Sequence, residues 1–186
     1  MVVVETSGQS RGDERLRAIL KSQYRAALAM LGQALERCPD DLWADDSHPN
    51  RFWHVAYHAL FFTHLYLQPS EADFHPWEKH RSEYQFMGPL PWPPHRLPNI
   101  GEPYSKAEVR EYLGICEGMI SPAIDRLDLT APQCGFWWYS VSKLEHQLVS
   151  IRHLQHHTAQ LADRVRTRVD IGIDWVGHGD GKKPEV

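Results

Sequence analysis

The chain of 186 residues has no surplus of positive charge: its formal net charge is -4 at pH 7. Nucleic-acid binders carry a basic surplus or patch, so no nucleic-acid partner is expected. A long hydrophobic run is missing too. No segment approaches ~18 uninterrupted apolar residues, so no membrane span is expected. The opening MVVVETSGQSRGDER has a short apolar run, but no basic region before it and no long apolar core. It does not read as a secretory signal. Cysteine is scarce, and Cys38, Cys116 and Cys134 are scattered, odd in number and without a CxxC pair. That pattern argues against a disulfide framework and for a reducing, cytoplasmic setting. Each of the three reads as a small buried hydrophobe. Repeats and low-complexity tracts are absent as well.

What the chain does have is histidine, twelve residues of it, and then seven tryptophans. The apolar share of 42% and the charged share of 24% are ordinary for a globular protein, and the length suits a single domain spanning 1–186. Residues 1–12 are expected to fray and 170–186 to form an irregular tail.

Four stretches read as helices. In 13–37, Leu16, Ile19, Leu20, Leu28, Met30, Leu31 and Leu35 recur at helical spacing, with Asp13 as the expected cap and Cys38-Pro39 as the stop. Residues 40–48 read as a loop. Pro49 fits the first turn of a second helix that runs to about Leu67, with Ser47 or His48 just outside it. That helix is aromatic on nearly every side (Phe52, Trp53, Tyr57, Phe61, Phe62, Tyr66) and should be heavily buried. Ser105 followed by Glu108 is a capping box that opens a third helix to about Leu127, which Pro122 should kink or interrupt. Ser142 followed by Glu145 opens the fourth, a run to Val169 with no glycine or proline and a basic end. Between helices two and three lies the link 68–104, rich in proline and tryptophan. A connection that long is usually functional or a crossover, and Phe74, Trp77, Phe86 and Trp92 imply that it packs on the body. The expected fold is all-α: a four-helix bundle, up-down-down-up, with a long crossover between helices two and three.

The chemistry sits on helices two and four. His153 and His157 are four residues apart, offset by only ~40° around a helix and stacked ~6 Å along it. Two imidazoles so placed can hold one metal ion. His156 points roughly 100° away. A third ligand has to come from elsewhere, and helix two offers His54, His58 and His64. The plainer reading leaves all of these histidines at the core edge, bonded to backbone or water.

Helix two, WHVAYHALFFTHLYL, and helix four, RHLQHHTAQL, resemble the DinB-like family of four-helix metalloenzymes, which is related to the YfiT-type and bacterial thiol-transferase proteins. The resemblance covers about 13–169, long crossover included. It implies that one histidine of helix two and the HxxxH pair bind a divalent metal, zinc or nickel above all. Carried over, the ligands are His58, His153 and His157, with His58 preferred to His54. Three imidazoles leave a fourth position open, as at a catalytic metal. The implied substrate is a small molecule, with a low-molecular-weight thiol of the bacillithiol, mycothiol or glutathione kind as cosubstrate, and a homodimer is the candidate assembly. A hydrolase would need a general base, for which His156, Asp163 and His146 are candidates; His146 reads more readily as a rim residue. The alternative function is a non-catalytic stress-response or sensor protein that binds metal or a small ligand, and a third reading is a bundle with a vestigial site. Gln160, one turn beyond His157, could orient it. Arg152 could attract an anionic substrate, although a surface salt bridge is the blander role. Trp137, Trp138 and Tyr139 could cover a pocket mouth, or plug the loop before the fourth helix.

Overall fold

The computed structural model describes residues 5–179, all-helical and without a strand among them. Five α-helices occur: α1 (Glu5–Arg37), the single-turn α2 (Asp40–Trp43), α3 (Phe52–Tyr66), α4 (Lys106–Arg126) and α5 (Lys143–Val169). Among the described residues no helix is long and apolar enough to cross a membrane.

The boundaries depart from expectation in four places. First, α1 begins at Glu5, so 5–12 are helical instead of frayed, while 1–4 lie outside the described residues. Single glycines lower helix stability by only ~1 kcal/mol and need not end a helix. Asp13 is therefore not a cap; it pairs one turn along with Arg17 at 2.7 Å. Second, 40–43 form a turn of helix instead of loop, with Leu42 and Trp43 buried and the Trp43 indole donating to Tyr104 O at 2.7 Å. Third, α3 starts at Phe52, not Pro49. Arg51 is extended, and Asn50 O accepts from Arg164 of α5 at 2.8 Å, which holds the preceding loop open. Fourth, α4 runs through Pro122 without interruption. Both Pro122 and Gly118, whose carbonyl loses its donor, are exposed, so water can satisfy that carbonyl.

The capping box at Ser105 is formed in both directions, and Ser142 Oγ accepts from Glu145 N. Within the helices, α1 packs on α4 and α5, and α3 packs on α4 and α5. One hydrophobic core draws on all five helices and on the link. Twelve of the fifteen residues of α3 are buried, as the aromatic sequence implies.

The link folds onto the body. Trp77, Tyr84 and Leu90 are buried, and Trp77 stacks on Tyr112 at 4.7 Å. Trp92 does not follow the expectation of burial: it stays 49% exposed, with an edge contact to Phe86. The loop before α5 is plugged by Phe136, which is buried, while Trp137 is 81% exposed. The buried Lys143 ammonium ties this loop to the end of α3, donating to Gln68 O, Pro69 O and Cys134 O. Residues 170–179 carry no regular structure, as expected of the tail, and 180–186 lie outside the described residues. All three cysteines are free and buried; burial pushes the Cys38 thiol up to about 12.

Candidate metal centre

The packing of α3 on α5 puts His58 opposite His153 and His157. The i, i+4 spacing of the pair turns both rings the same way. His153 Nε2 lies 3.1 Å from His58 Nε2 and 3.1 Å from His157 Nε2. One ligand atom from each of the three rings lies within 4.8 Å of the others, so the cluster could hold a metal ion. For comparison, three nitrogens at ~2.05 Å from a tetrahedral zinc ion stand ~3.3 Å apart.

The outer ring nitrogens determine the tautomers. His58 Nδ1–H donates to the backbone carbonyl of Gln85 at 2.6 Å. A carbonyl can only accept, so in the neutral ring the proton is on Nδ1 and Nε2 carries a lone pair. His157 Nδ1–H donates to Gln160 Oε1 at 2.8 Å, and Gln160 Nε2 donates in turn to His156 Nε2 at 3.2 Å. His157 Nε2 therefore carries a lone pair as well. A proton on His153 Nε2 can satisfy one of these two lone pairs fully, not both. A cation at the centre satisfies all three nitrogens, with the outer bonds orienting the rings. The donor set thus fits a metal ion. The outer nitrogen of the third ring, His153 Nδ1, is buried without a partner.

Electrostatics favour the ligand form. Burial, then the neighbouring His157 and His153 rings, hold His58 well below the ordinary histidine range, against the opposing pull of the Gln85 bond. Burial and the His157 and His156 rings lower His153 to about 4. Burial lowers His157, opposed by its bond to Gln160. In all three the shift favours the neutral ring, the form that ligation requires.

Phe62 packs on both His58 and His153, with ring centroids 4.8 and 5.5 Å away. An open cleft of about 550 Å³ on α5 is lined by Val149, Arg152, His153, Gln155 and His156. His153 belongs both to the cluster and to this cleft.

No protein family, curated protein or solved structure matches the chain.

The remaining candidates separate clearly. His54 Nε2–H donates to Tyr84 O at 2.8 Å and turns away from the cluster. His64 faces α4, its Nδ1 3.1 Å from Tyr112 Oη. His146 is neither at the rim nor beside the cluster: it is fully buried among Tyr66, Phe136 and Tyr139, with both ring nitrogens unpartnered. Asp163 lines a different cleft, beside Leu42 and Arg164. Only His156, exposed and 5.0 Å from His157 between ring centroids, stays near the cluster. Gln85 was not legible as a partner, because it acts through a backbone carbonyl 27 residues from His58. Gln160 was legible, from its i, i+3 spacing to His157.

Proposed function

We propose that the chain is a divalent-metal-dependent enzyme of the DinB-like kind, with His58, His153 and His157 as its protein ligands and a coordination position left for a small molecule. A single observation carries the reading. Three Nε2 atoms converge while the outer nitrogens of two rings are tied to acceptors, Gln85 O and Gln160 Oε1. Neutral imidazoles whose lone pairs meet in this way form the donor set of an open catalytic site.

Bound there, a zinc-like or nickel-like ion would polarise a water or favour the thiolate form of a thiol. This chain's own contribution is orientation and exclusion. Gln85 and Gln160 hold two rings in register, and Phe62 covers the rings from one side. Of the three candidate bases for a hydrolase, His156 alone is near the cluster. A transferase that uses a low-molecular-weight thiol asks for less proton chemistry from the chain, and it is the preferred reading. The free, unpaired cysteines suit a reducing cytoplasm in which such thiols are kept.

We infer for the fold an up-down-down-up bundle of α1, α3, α4 and α5. Its support is the order of contacts. Tyr24 and Met30 of α1 meet Gln147 and Gln155 of α5 in parallel order, while Lys21 and Arg25 meet Asp125 and Ser121 of α4 in reverse order. Tyr57 and Leu60 of α3 meet Tyr112 and Cys116 of α4 in parallel order.

Elemental analysis of the purified protein, followed by a screen of thiol cosubstrates against electrophiles, tests the functional reading. Stoichiometric zinc or nickel with thiol transfer is the expected result. Stoichiometric metal without turnover would favour a metal- or ligand-binding protein, and no retained metal would overturn the reading.

A further inference from the structure

We infer that the small molecule taken by this centre carries an oxyanionic group, and that Arg152 binds that group. This rests on the reading of the three histidines as a metal centre and adds a substrate class to it.

The cleft beside the cluster has one wall, the stripe of α5 formed by positions 149, 152, 153 and 156 at spacings of three and four. His153 lies on that stripe and in the cluster, and it is the one ligand of the centre that lines the cleft. The formal charge of the wall is of one sign. No acidic side chain lines it, and Arg152 is its only formal charge. The surface salt bridge that would be the ordinary use of this exposed arginine is absent: Arg152 makes no ion pair among the described residues. His156 accepts at Nε2 from Gln160, which leaves its proton on Nδ1 and makes it a second donor. The Gln155 amide nitrogen is engaged elsewhere, donating to Met30 Sδ at 3.5 Å.

The charge of the centre points the same way. Three neutral imidazoles cancel none of a divalent ion's charge, and no carboxylate joins them. A neutral molecule would leave the charge of the cation uncompensated, with an unpaired guanidinium on the residue next to one of its ligands. A molecule with a donor atom for the centre and a carboxylate or phosphate-type group one helical step away matches both. Guanidinium is well shaped for either oxyanion, since its planar donors can engage two oxygens at once.

The test uses the full chain loaded with cobalt(II), whose visible absorption reports entry of a thiol at the metal. Three probes share the same donor and differ in the tail: mercaptoethanol, mercaptopropionate and mercaptoethylphosphonate. The expected result is that the acid-tailed probes bind about tenfold more tightly than mercaptoethanol, the scale of one charge-assisted hydrogen bond that is partly exposed. In Arg152→Gln that preference should collapse to near unity, with cobalt affinity and mercaptoethanol affinity unchanged. Arg152→Lys should keep part of it. Whichever acid tail binds more tightly identifies the group. Equal binding of all probes by the unmodified protein, or a preference that survives Arg152→Gln, overturns the inference and leaves the metal centre standing. Failure to bind cobalt at all overturns the metal reading, and this inference with it.

Discussion

His54 and His58 sit one turn apart on α3, and each meets a carbonyl of the same short segment of the link. His54 uses Nε2 for Tyr84 O, and His58 uses Nδ1 for Gln85 O. That one difference in ring nitrogen leaves His58 Nε2 free to face His153. Alanine variants make the distinction measurable. His58→Ala, His153→Ala and His157→Ala should each weaken zinc binding by more than about 100-fold, the upper end of what loss of an outer partner alone costs. His54→Ala should retain the metal. Competition against a chelating dye on variants checked for helicity reads this directly, and metal retention by His157→Ala would exclude the site. Gln160→Ala should cost about tenfold in affinity, because His157 loses the bond that sets its tautomer.

The link and the helix caps can be tested as elements. Trp77 is almost fully buried and stacks flat on Tyr112, so it anchors the link to α4. Trp77→Ala should destabilise the fold by about 3–5 kcal/mol, the usual cost of deleting a large core aromatic, read as a lowered urea midpoint. Ser105→Ala should cost about 1 kcal/mol, since the Glu108 backbone N–H loses its hydroxyl acceptor while the reverse bond, from the backbone N–H of residue 105 to the Glu108 carboxylate, remains. The link is not uniform, however. Residues 91–97 are all exposed, whereas Arg81 donates its backbone N–H to the part-buried Tyr104 hydroxyl. Within the link, trypsin should cut after Arg96 before Arg81; early cleavage at Arg81 would mean that the first half of the link is not docked. The proline-rich composition announces a docked connection, but not which half holds on. The burial of Trp77 and the exposure of Trp92 depend on which helix face each one meets.

At the scale of the whole molecule, buried histidines link stability to pH. His64 and His146 lie away from the three-histidine cluster, and burial lowers each to about 4. In the unfolded chain a histidine titrates near 6.5. As pH falls, the unfolded state therefore takes up protons first. The contribution of the two groups is fully present above about pH 6.5 and is lost progressively between about 6.5 and 4. With metal removed by chelator, the urea midpoint should fall steadily over that window. His146→Leu should flatten the fall; an unchanged slope would show that His146 is not kept neutral by burial. A second whole-molecule test is Gly135, which has φ of +85° and sits where a Cβ would strike Pro69 O. Gly135→Ala should destabilise by at least about 1–2 kcal/mol, because the left-handed conformation alone costs that much. It would also disturb the junction where Gly135 O accepts from Glu71 N.

The sequence alone determined what near neighbours control. The i, i+4 spacing of His153 and His157 put two imidazoles on one face of α5, and the Ser–Glu pairs located the starts of α4 and α5. The aromatic density of α3 implied its burial. These features follow from helix geometry and bonds made within a turn. Only the tertiary structure decided the rest. On a helix buried on nearly every side, periodicity cannot choose between His54 and His58; the rotation of α3 against α5, with the carbonyls of Tyr84 and Gln85 supplied from the link, makes that choice. Likewise, nothing local distinguishes His146, a buried core ring, from His153 seven residues on, because their surroundings come from Tyr66 and Phe136 in one case and from His58 and Phe62 in the other. The deciding partners lie tens of residues away in the chain, and they meet only once the helices have packed.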